Sequence, residues 1–181
     1  GRTHHRRRGT KGRLMRFEVV PMREADLAEV VAIEEVTGLN RWGYDAYRRE
    51  LSSNPNAIML VAQPADGGTW CAGETGGIES GHGTGLHVLG FVASAMMFDE
   101  LHINNVATHP GTRRMGIGRE LLVKAIDEAR LRGASFSVLE VRASNVTAQA
   151  LYIAMGFRTS RRRKDYYRAP TEDALEMIRD L

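Results

Sequence analysis

The clearest chemical signal in the chain is the run Arg113-Arg114-Met115-Gly116-Ile117-Gly118-Arg119, set between a strand-like and a helix-like segment. Glycines let backbone N–H groups approach a phosphate closely, and a helix start adds the positive end of its dipole. Arginines beside them add charge-assisted contacts. The combination predicts a pyrophosphate cradle. No Gly-Lys-Ser/Thr ending follows, so the run is not a Walker loop, and the third glycine of a dinucleotide fingerprint is missing. A Gly-x-Gly can also do no more than tighten a turn, and the rest of the chain must decide between the two readings.

Two residues downstream have side chains suited to moving protons. Glu140 lies in the apolar run Val138-Leu139-Glu140-Val141, where burial would raise the pKa of a carboxyl. Tyr152 falls about two turns into the following helix-like segment. The structural alternatives are an ion pair of Glu140 with Arg142, and a core ring for Tyr152 at helical spacing from Ala148. His102, near Glu100, is an alternative base. Cys71 sits among glycines, a poor place to hold a nucleophile. His82, Glu74 and Glu79 lack metal-ligand spacing, so no metal is expected.

These groups need a scaffold, and the patterning supplies one. Strands are predicted at Arg16–Val20, Ala57–Ala62, His87–Met97, Leu101–Thr108, Phe136–Val141, Phe157–Arg161 and Ala174–Ile178. Asp26 is placed to cap a helix carrying Leu27, Val30 and Val31, with Gly38 to stop it. A second short helix is expected from Asp45 to Leu51. The strongest helix signal is the stripe Ile117, Leu121, Leu122, Ala125, Ile126 and Ala129, closed by Gly133. Ser144 or Asn145 is placed to cap the last helix, which Gly156 stops after Met155. Residues 64–86 hold eight glycines and little apolar periodicity, so a loop-like insertion is expected there. The class is mixed α/β.

A length of 181 residues suits one domain, and 43% hydrophobic with 26% charged residues is a globular composition. No apolar run approaches the roughly 20 residues that cross a bilayer. The single cysteine suits a reducing cytoplasm. The net charge of +3 conceals an asymmetry. Arg2, Arg6, Arg7, Arg8, Lys11 and Arg13 are basic with no acid among them, and without these six the remainder carries −3. Residues 1–14 are therefore expected to be a basic arm or an upstream extension, and 15–181 the domain. The arm would touch nucleic acid only weakly, through phosphates.

Arg113-x-x-Gly116-x-Gly118 resembles the Arg/Gln-x-x-Gly-x-Gly/Ala signature of the GNAT superfamily of acetyltransferases. Leu139-Glu140-Val141-Arg142-Ala143-Ser144-Asn145, Ala150-Leu151-Tyr152 and Gly156-Phe157 are similar to its RimI-like branch. So are Tyr166-Tyr167, Glu172-Asp173-Ala174-Leu175 and Met177, with Ala32-Ile33-Glu34 and Trp42 upstream. The resemblance covers most of residues 16–181. It implies the GNAT fold: a mixed, mostly antiparallel central sheet, flanked by helices, whose fourth and fifth strands splay apart. It also implies acetyl-CoA as cosubstrate. Val106, Ala107 and Thr108 would lie along its pantetheine arm, with Val106 and Thr108 pairing like an added strand. The N–H groups from Arg114 to Arg119, beside Arg113, would hold the pyrophosphate through Arg114, Met115, Gly116, Ile117, Gly118 and Arg119. Asn145 and Tyr152 would also touch the cofactor.

By the same resemblance Glu140 is the base, acting through water, and Tyr152 the acid. Glu34 and Trp42 would stand near the peptide entrance, and Tyr166 and Tyr167 in a loop over the acceptor groove. The expected reaction is direct attack of a protein N-terminal α-amine on the thioester, with a ribosomal protein beginning with alanine as prototype acceptor. Lysine or small-amine acetylation is the alternative, and a non-catalytic acetyl-CoA-binding module a third. An α-amine is about 10–15% neutral at pH 7, against about 0.04% for lysine, so a weak or water-relayed base suffices for the first. Gly43 stands where the family often has a helix-capping serine, and the 64–86 insertion is long. Both bear on substrate choice. The expected protein is cytoplasmic and a monomer or dimer.

Overall fold

In the computed structural model, which describes residues 16–39, 41–70 and 85–181, seven strands make one sheet. They are β1 (Phe17–Pro21), β2 (Ala57–Pro64), β3 (Gly90–Met97), β4 (Glu100–Thr108), β5 (Phe136–Arg142), β6 (Arg158–Arg168) and β7 (Thr171–Asp180). Four helices accompany them: α1 (Leu27–Thr37), α2 (Tyr44–Ser53), α3 (Ile117–Leu131) and α4 (Val146–Ala154). The strand order is β1-β2-β3-β4-β5-β7-β6. Every neighbouring pair is antiparallel except β4 and β5, which run parallel. Among the described residues no helix is long and apolar enough to cross a membrane.

Two cores sandwich the sheet. On one face the α3 stripe, Ile117, Leu121, Leu122, Ala125, Ile126 and Ala129, is at most 1% exposed and packs with Leu101, Ile103, Leu139, Val141, Tyr152 and Met177. A buried leucine or isoleucine contributes about 1.5–3 kcal/mol, so this helix anchors everything attached to its ends. Gly133, at φ +90°, lets the chain leave α3. On the other face Leu27, Val30 and Ile33 of α1 and Tyr47 of α2 pack with Val61, Phe91, Ala93 and Ala107.

Several expectations change at element ends. Asp26 does not cap α1 through its side chain; its Oδ2 accepts from Arg23 N–H at 2.7 Å and its Oδ1 from Gln63 at 3.2 Å. β3 starts at Gly90 rather than His87, because the N–H groups of His87 and Val88 donate to Glu29 Oε2 instead of to a strand. The β6–β7 hairpin differs from the expected Phe157–Arg161 and Ala174–Ile178: β6 starts one residue later, at Arg158, and runs on to Arg168, and β7 is longer at both ends. As the sheet's edge, β6 is exposed along most of its length, so no apolar alternation marks it. Its backbone ladder and the cross-strand pairs Arg161–Glu176 (2.7 Å) and Arg162–Asp173 (2.6 Å) hold it instead. Within the stretch 64–86, β2 runs through Pro64, and Trp70 and Leu86 bond to each other through both backbone groups at 2.8 Å. The basic arm and Met15, and Cys71, Glu74, Glu79 and His82, lie outside the described residues.

Candidate active site

The 113–119 turn has the form a phosphate cradle requires. Arg114 (φ +64°) and Gly116 (φ +82°) both adopt the left-handed conformation, which curls successive N–H groups into a concavity. Gly116 caps α3 with no side-chain hydrogen bond, and the first helical bond runs from Glu120 N–H to Gly116 O at 3.0 Å. Among the described residues the N–H groups of Ile117, Gly118 and Arg119 thus have no partner, as at any uncapped helix start. Arg113, Arg114 and Arg119 make no ion pair among the described residues. The approach to the turn is rigid. Thr112 is fully buried and donates to Leu89 O at 2.9 Å, and Gly111 lies so close under Trp70 that a Cβ would stand 2.5 Å from the indole.

A gap opens beside this turn. The parallel pairing of β4 and β5 stops at Ile103/Leu139, and the register between β3 and β4 shifts at Ala93/Ser94, leaving Asn104 unopposed. Beyond that bulge, among the described residues, β4 pairs with β3 alone. His109 N–H donates to Leu89 O, so by strand alternation Ala107 and Asn105 also turn their backbone groups to β3, while Val106 and Thr108 turn theirs to the gap. That is a free strand edge, available to an amide-bearing chain. Gly118 lines its far side: a Cβ there would meet Thr108 Cγ2 at 3.7 Å and Leu151 Cδ2 at 3.8 Å.

The gap passes through the sheet. Leu139 and Val141 of β5 face the α3 core with Tyr152, so Glu140 between them faces the opposite side. A cleft of about 170 Å³ reaches both: Tyr152, Asn145 and Ala148 of the α4 region, Glu140 and Arg142 of β5, Asn104 to Val106, and Tyr166 and Tyr167 line it. Asn145 is the α4 cap, its Oδ1 accepting from Ala148 N–H at 3.1 Å, which leaves its amide N–H₂ for the cleft. Tyr152 is 7% exposed and its hydroxyl makes no hydrogen bond among the described residues. Burial, with Tyr167 adding a smaller push, raises its pKa far above that of a free phenol.

Glu140 is not the carboxyl in an apolar niche that its strand suggested. Its side chain is 31% exposed and bonds to Arg163 Nη1 at 2.7 Å. Arg142, the partner expected by sequence proximity, pairs instead with Glu172 and with the carbonyls of Ala169 and Pro170. His102 is bonded to Glu100 at 2.8 Å and is not part of the cleft lining.

The residues expected at the peptide entrance differ more. Glu34 is fully buried and cannot meet a peptide: it accepts from the N–H groups of Trp42 and Gly43, from the Tyr47 hydroxyl and from Asn105. Trp42 packs on Tyr47 at 5.2 Å and does not line the cleft, whereas Thr37, Gly38 and Leu39 do. Tyr166 and Tyr167 lie within β6 rather than in a loop, perpendicular to each other at 5.2 Å. Arg163 stacks on Tyr166 at 4.4 Å and Arg142 on Tyr167 at 4.1 Å. Burial pushes the Tyr167 hydroxyl up to about 12, with Arg142 pulling the other way. Arg163, Tyr47 and Asn105 escaped the sequence reading. For Asn105 a signal existed, since an amide at an inward position of a strand asks for a partner; Arg163 is one of three consecutive arginines, with nothing to distinguish it.

The sequence model of the Acetyltransferase (GNAT) family matches residues 33–157, from α1 through the turn, gap and α4 to the start of the last hairpin. The chain belongs to the GNAT acetyltransferase family. The [ribosomal protein bS18]-alanine N-acetyltransferase of Escherichia coli K12 is 43% identical over 86 residues, 48% of this chain and 57% of that enzyme. The match thus spans little more than half the length of that relative. The putative [ribosomal protein bS18]-alanine N-acetyltransferase of Bacillus subtilis is 31% identical over 156 residues, covering 86% of this chain and 90% of that protein. The crystal structure of the ribosomal-protein-S18-alanine N-acetyltransferase from Escherichia coli superposes with TM-score 0.72 at 25% identity, covering 91% and 94% of the two chains. The NatC complex bound to Gag peptide and CoA, at 21% identity and TM-score 0.73, shares this GNAT fold.

Proposed function

We propose that this GNAT chain transfers the acetyl group of acetyl-CoA to the N-terminal α-amine of a protein, with a ribosomal protein beginning with alanine as acceptor. The observation that carries the reading is the gap that crosses the sheet. On the α3 side lie an uncapped, arginine-flanked turn and a free strand edge; on the other, a cleft walled by Glu140 and paired tyrosines. The two sides suit two substrates meeting through the sheet, which supports direct transfer without an acyl-enzyme. The acceptor for which these relatives are named, the alanine of bS18, supports the choice of amine.

Acetyl-CoA, when bound, supplies an activated acyl carbon. The N–H groups of residues 114–119, with Arg113, Arg114 and Arg119, fit its pyrophosphate. The free groups of Val106 and Thr108 fit the amides of its pantetheine arm, and the Asn145 amide N–H₂ lies along the same gap. Ala107 contributes only through its neighbours, because its own backbone bonds β3. Glu140 takes the proton that the attacking amine sheds, through water, while Arg163 holds the carboxylate in place. As the C–N bond forms and the C–S bond breaks, the Tyr152 hydroxyl gives its proton to the departing sulfur. Its raised pKa keeps that proton on the hydroxyl at neutral pH, so the residue enters the reaction protonated. Tyr166 and Tyr167, braced by Arg163 and Arg142, form the wall over the acceptor's first residues.

The test is a peptide panel with acetyl-CoA, read by mass spectrometry. Peptides with free N-terminal Ala or Ser should gain one acetyl group on the α-amine. Faster modification of lysine in N-terminally blocked peptides would move the chain to the lysine class, and no modification of either would leave only acetyl-CoA binding.

A further inference from the structure

Glu34 is a fully buried carboxylate that the proposed reaction does not use. Burying a charge is costly unless every lone pair finds a donor, and among the described residues no lysine or arginine pairs with this one. Its donors are neutral and come from three separate parts of the chain. Oε1 accepts from Trp42 N–H at 2.7 Å, from Tyr47 O–H at 2.8 Å and, at longer range, from Asn105 Nδ2 at 3.4 Å. Oε2 accepts from Gly43 N–H at 3.0 Å. Asn105 also donates to the Tyr47 oxygen at 2.8 Å, so the hydroxyl is bonded on both sides.

These bonds tie together the pieces that border the cleft. Trp42 and Gly43 belong to the connection between α1 and α2, whose first residues, Gly38 and Leu39, line the cleft. Gly43 at φ +74° turns this connection so that its N–H reaches the carboxylate. Asn105 follows the bulge of β4 and is flanked by Asn104 and Val106, both at the gap. We propose that Glu34, with Tyr47 and Asn105, is a positioning residue: it latches the α1–α2 connection onto β4 and so preforms the wall that the acceptor peptide meets. This rests on the reading of that side of the cleft as the peptide side. A preformed wall costs the peptide no ordering on arrival, so loosening it weakens peptide capture and leaves the turn that holds the cofactor intact.

Glu34→Gln places an amide N–H₂ against one of the N–H donors and breaks the latch with little change in volume. In the full chain it should raise the KM for an N-terminal alanine peptide about tenfold or more, the effect of losing a hydrogen bond to a buried charged group. The kcat and the calorimetric Kd for acetyl-CoA should stay within about threefold. Hydrogen exchange at the Trp42 and Gly43 amides should accelerate. Should this variant fail to fold, Tyr47→Phe removes one donor, keeps the ring, and should move peptide KM and exchange in the same directions by less. An unchanged peptide KM, a loss confined to kcat, or an equal loss of acetyl-CoA affinity overturns the proposal. If the wild type acetylates no α-amine, the proposed function falls by itself. The latch is then judged by exchange alone: acceleration at Trp42 and Gly43 supports it, and unchanged exchange overturns it.

Discussion

Replacing Tyr152 by phenylalanine removes one oxygen and leaves the ring among its neighbours. That ring is 7% exposed and sits 6.0 Å from Phe157 within the α3-side core. The hydroxyl makes no hydrogen bond among the described residues, so folding loses nothing it had gained, and stability should shift by no more than about 0.5 kcal/mol. Catalysis should respond far more. A positioned general acid contributes about 10²–10⁴-fold. A thiol of pKa near 8.5 is already a fair leaving group, which places the loss in kcat near the low end, at about 100-fold. The sign of the pH effect follows from the raised pKa of Tyr152, caused first by burial and then by Tyr167. The hydroxyl stays protonated throughout pH 6–9, so the deficit should be flat over that range, with acetyl-CoA affinity unchanged. The assay is a pH–rate profile on one alanine peptide, with urea unfolding as control. A kcat within threefold of wild type, a deficit that vanishes by pH 9, or a stability loss above about 1 kcal/mol would refute the assignment of the hydroxyl as donor.

Glu140→Gln should lower turnover by about 10–1,000-fold, most at low pH where fewer α-amines are already neutral; a normal rate from pH 6 to 9 would return the residue to a structural role beside Arg163. Gly116→Glu puts a carboxylate where the turn presents N–H groups and should abolish acetyl-CoA binding by calorimetry, whereas Gly116→Ala, which adds only strain at φ +82°, should cost about 1–2 kcal/mol of stability and retain measurable binding. Alkali should unfold the protein through its buried phenols. Tyr47, Tyr152 and Tyr167 are all raised above the ordinary value of 10.0, Tyr167 to about 12. Their stabilising contribution is therefore complete below pH 10 and lost as pH rises from there through 12. Circular dichroism from pH 8 to 12 should show the loss, and Tyr47→Phe should soften it; a flat titration contradicts the burial.

How far the amino-acid order reaches differs between the two sides of the sheet. The cofactor side depends on local rules. The α3 stripe repeats at helical spacing, Gly116 and Gly133 stand where the backbone must turn left-handed, and Asn145 stands where α4 needs a cap. Each of those requirements is met by residues within a few positions, so the turn, the helix behind it and the α4 start could be read directly. The hairpin Arg158–Asp180 could not be bounded that way, since an edge strand exposed along most of its length carries no apolar code.

The acceptor side was decided by packing. Glu140 finds Arg163 at a separation of 23 residues, Glu34 finds Tyr47 at 13 and Asn105 at 71. No local pattern names such partners, because what brings them together is the sheet order and the bulge in β4. The residue types therefore set by themselves the mixed α/β class and the glycine turn before α3, while the family resemblance singled out Glu140 and Tyr152 as the proton-bearing candidates. Only the tertiary structure decided that Glu140 is half-exposed on an arginine, that Glu34 is sealed inside a latch, and that the parallel pairing of β4 and β5 ends after Ile103 and Leu139. The physical reason is that helix phase and turn geometry are set by neighbours in sequence, whereas burial, charge pairing and strand separation are set by neighbours in space.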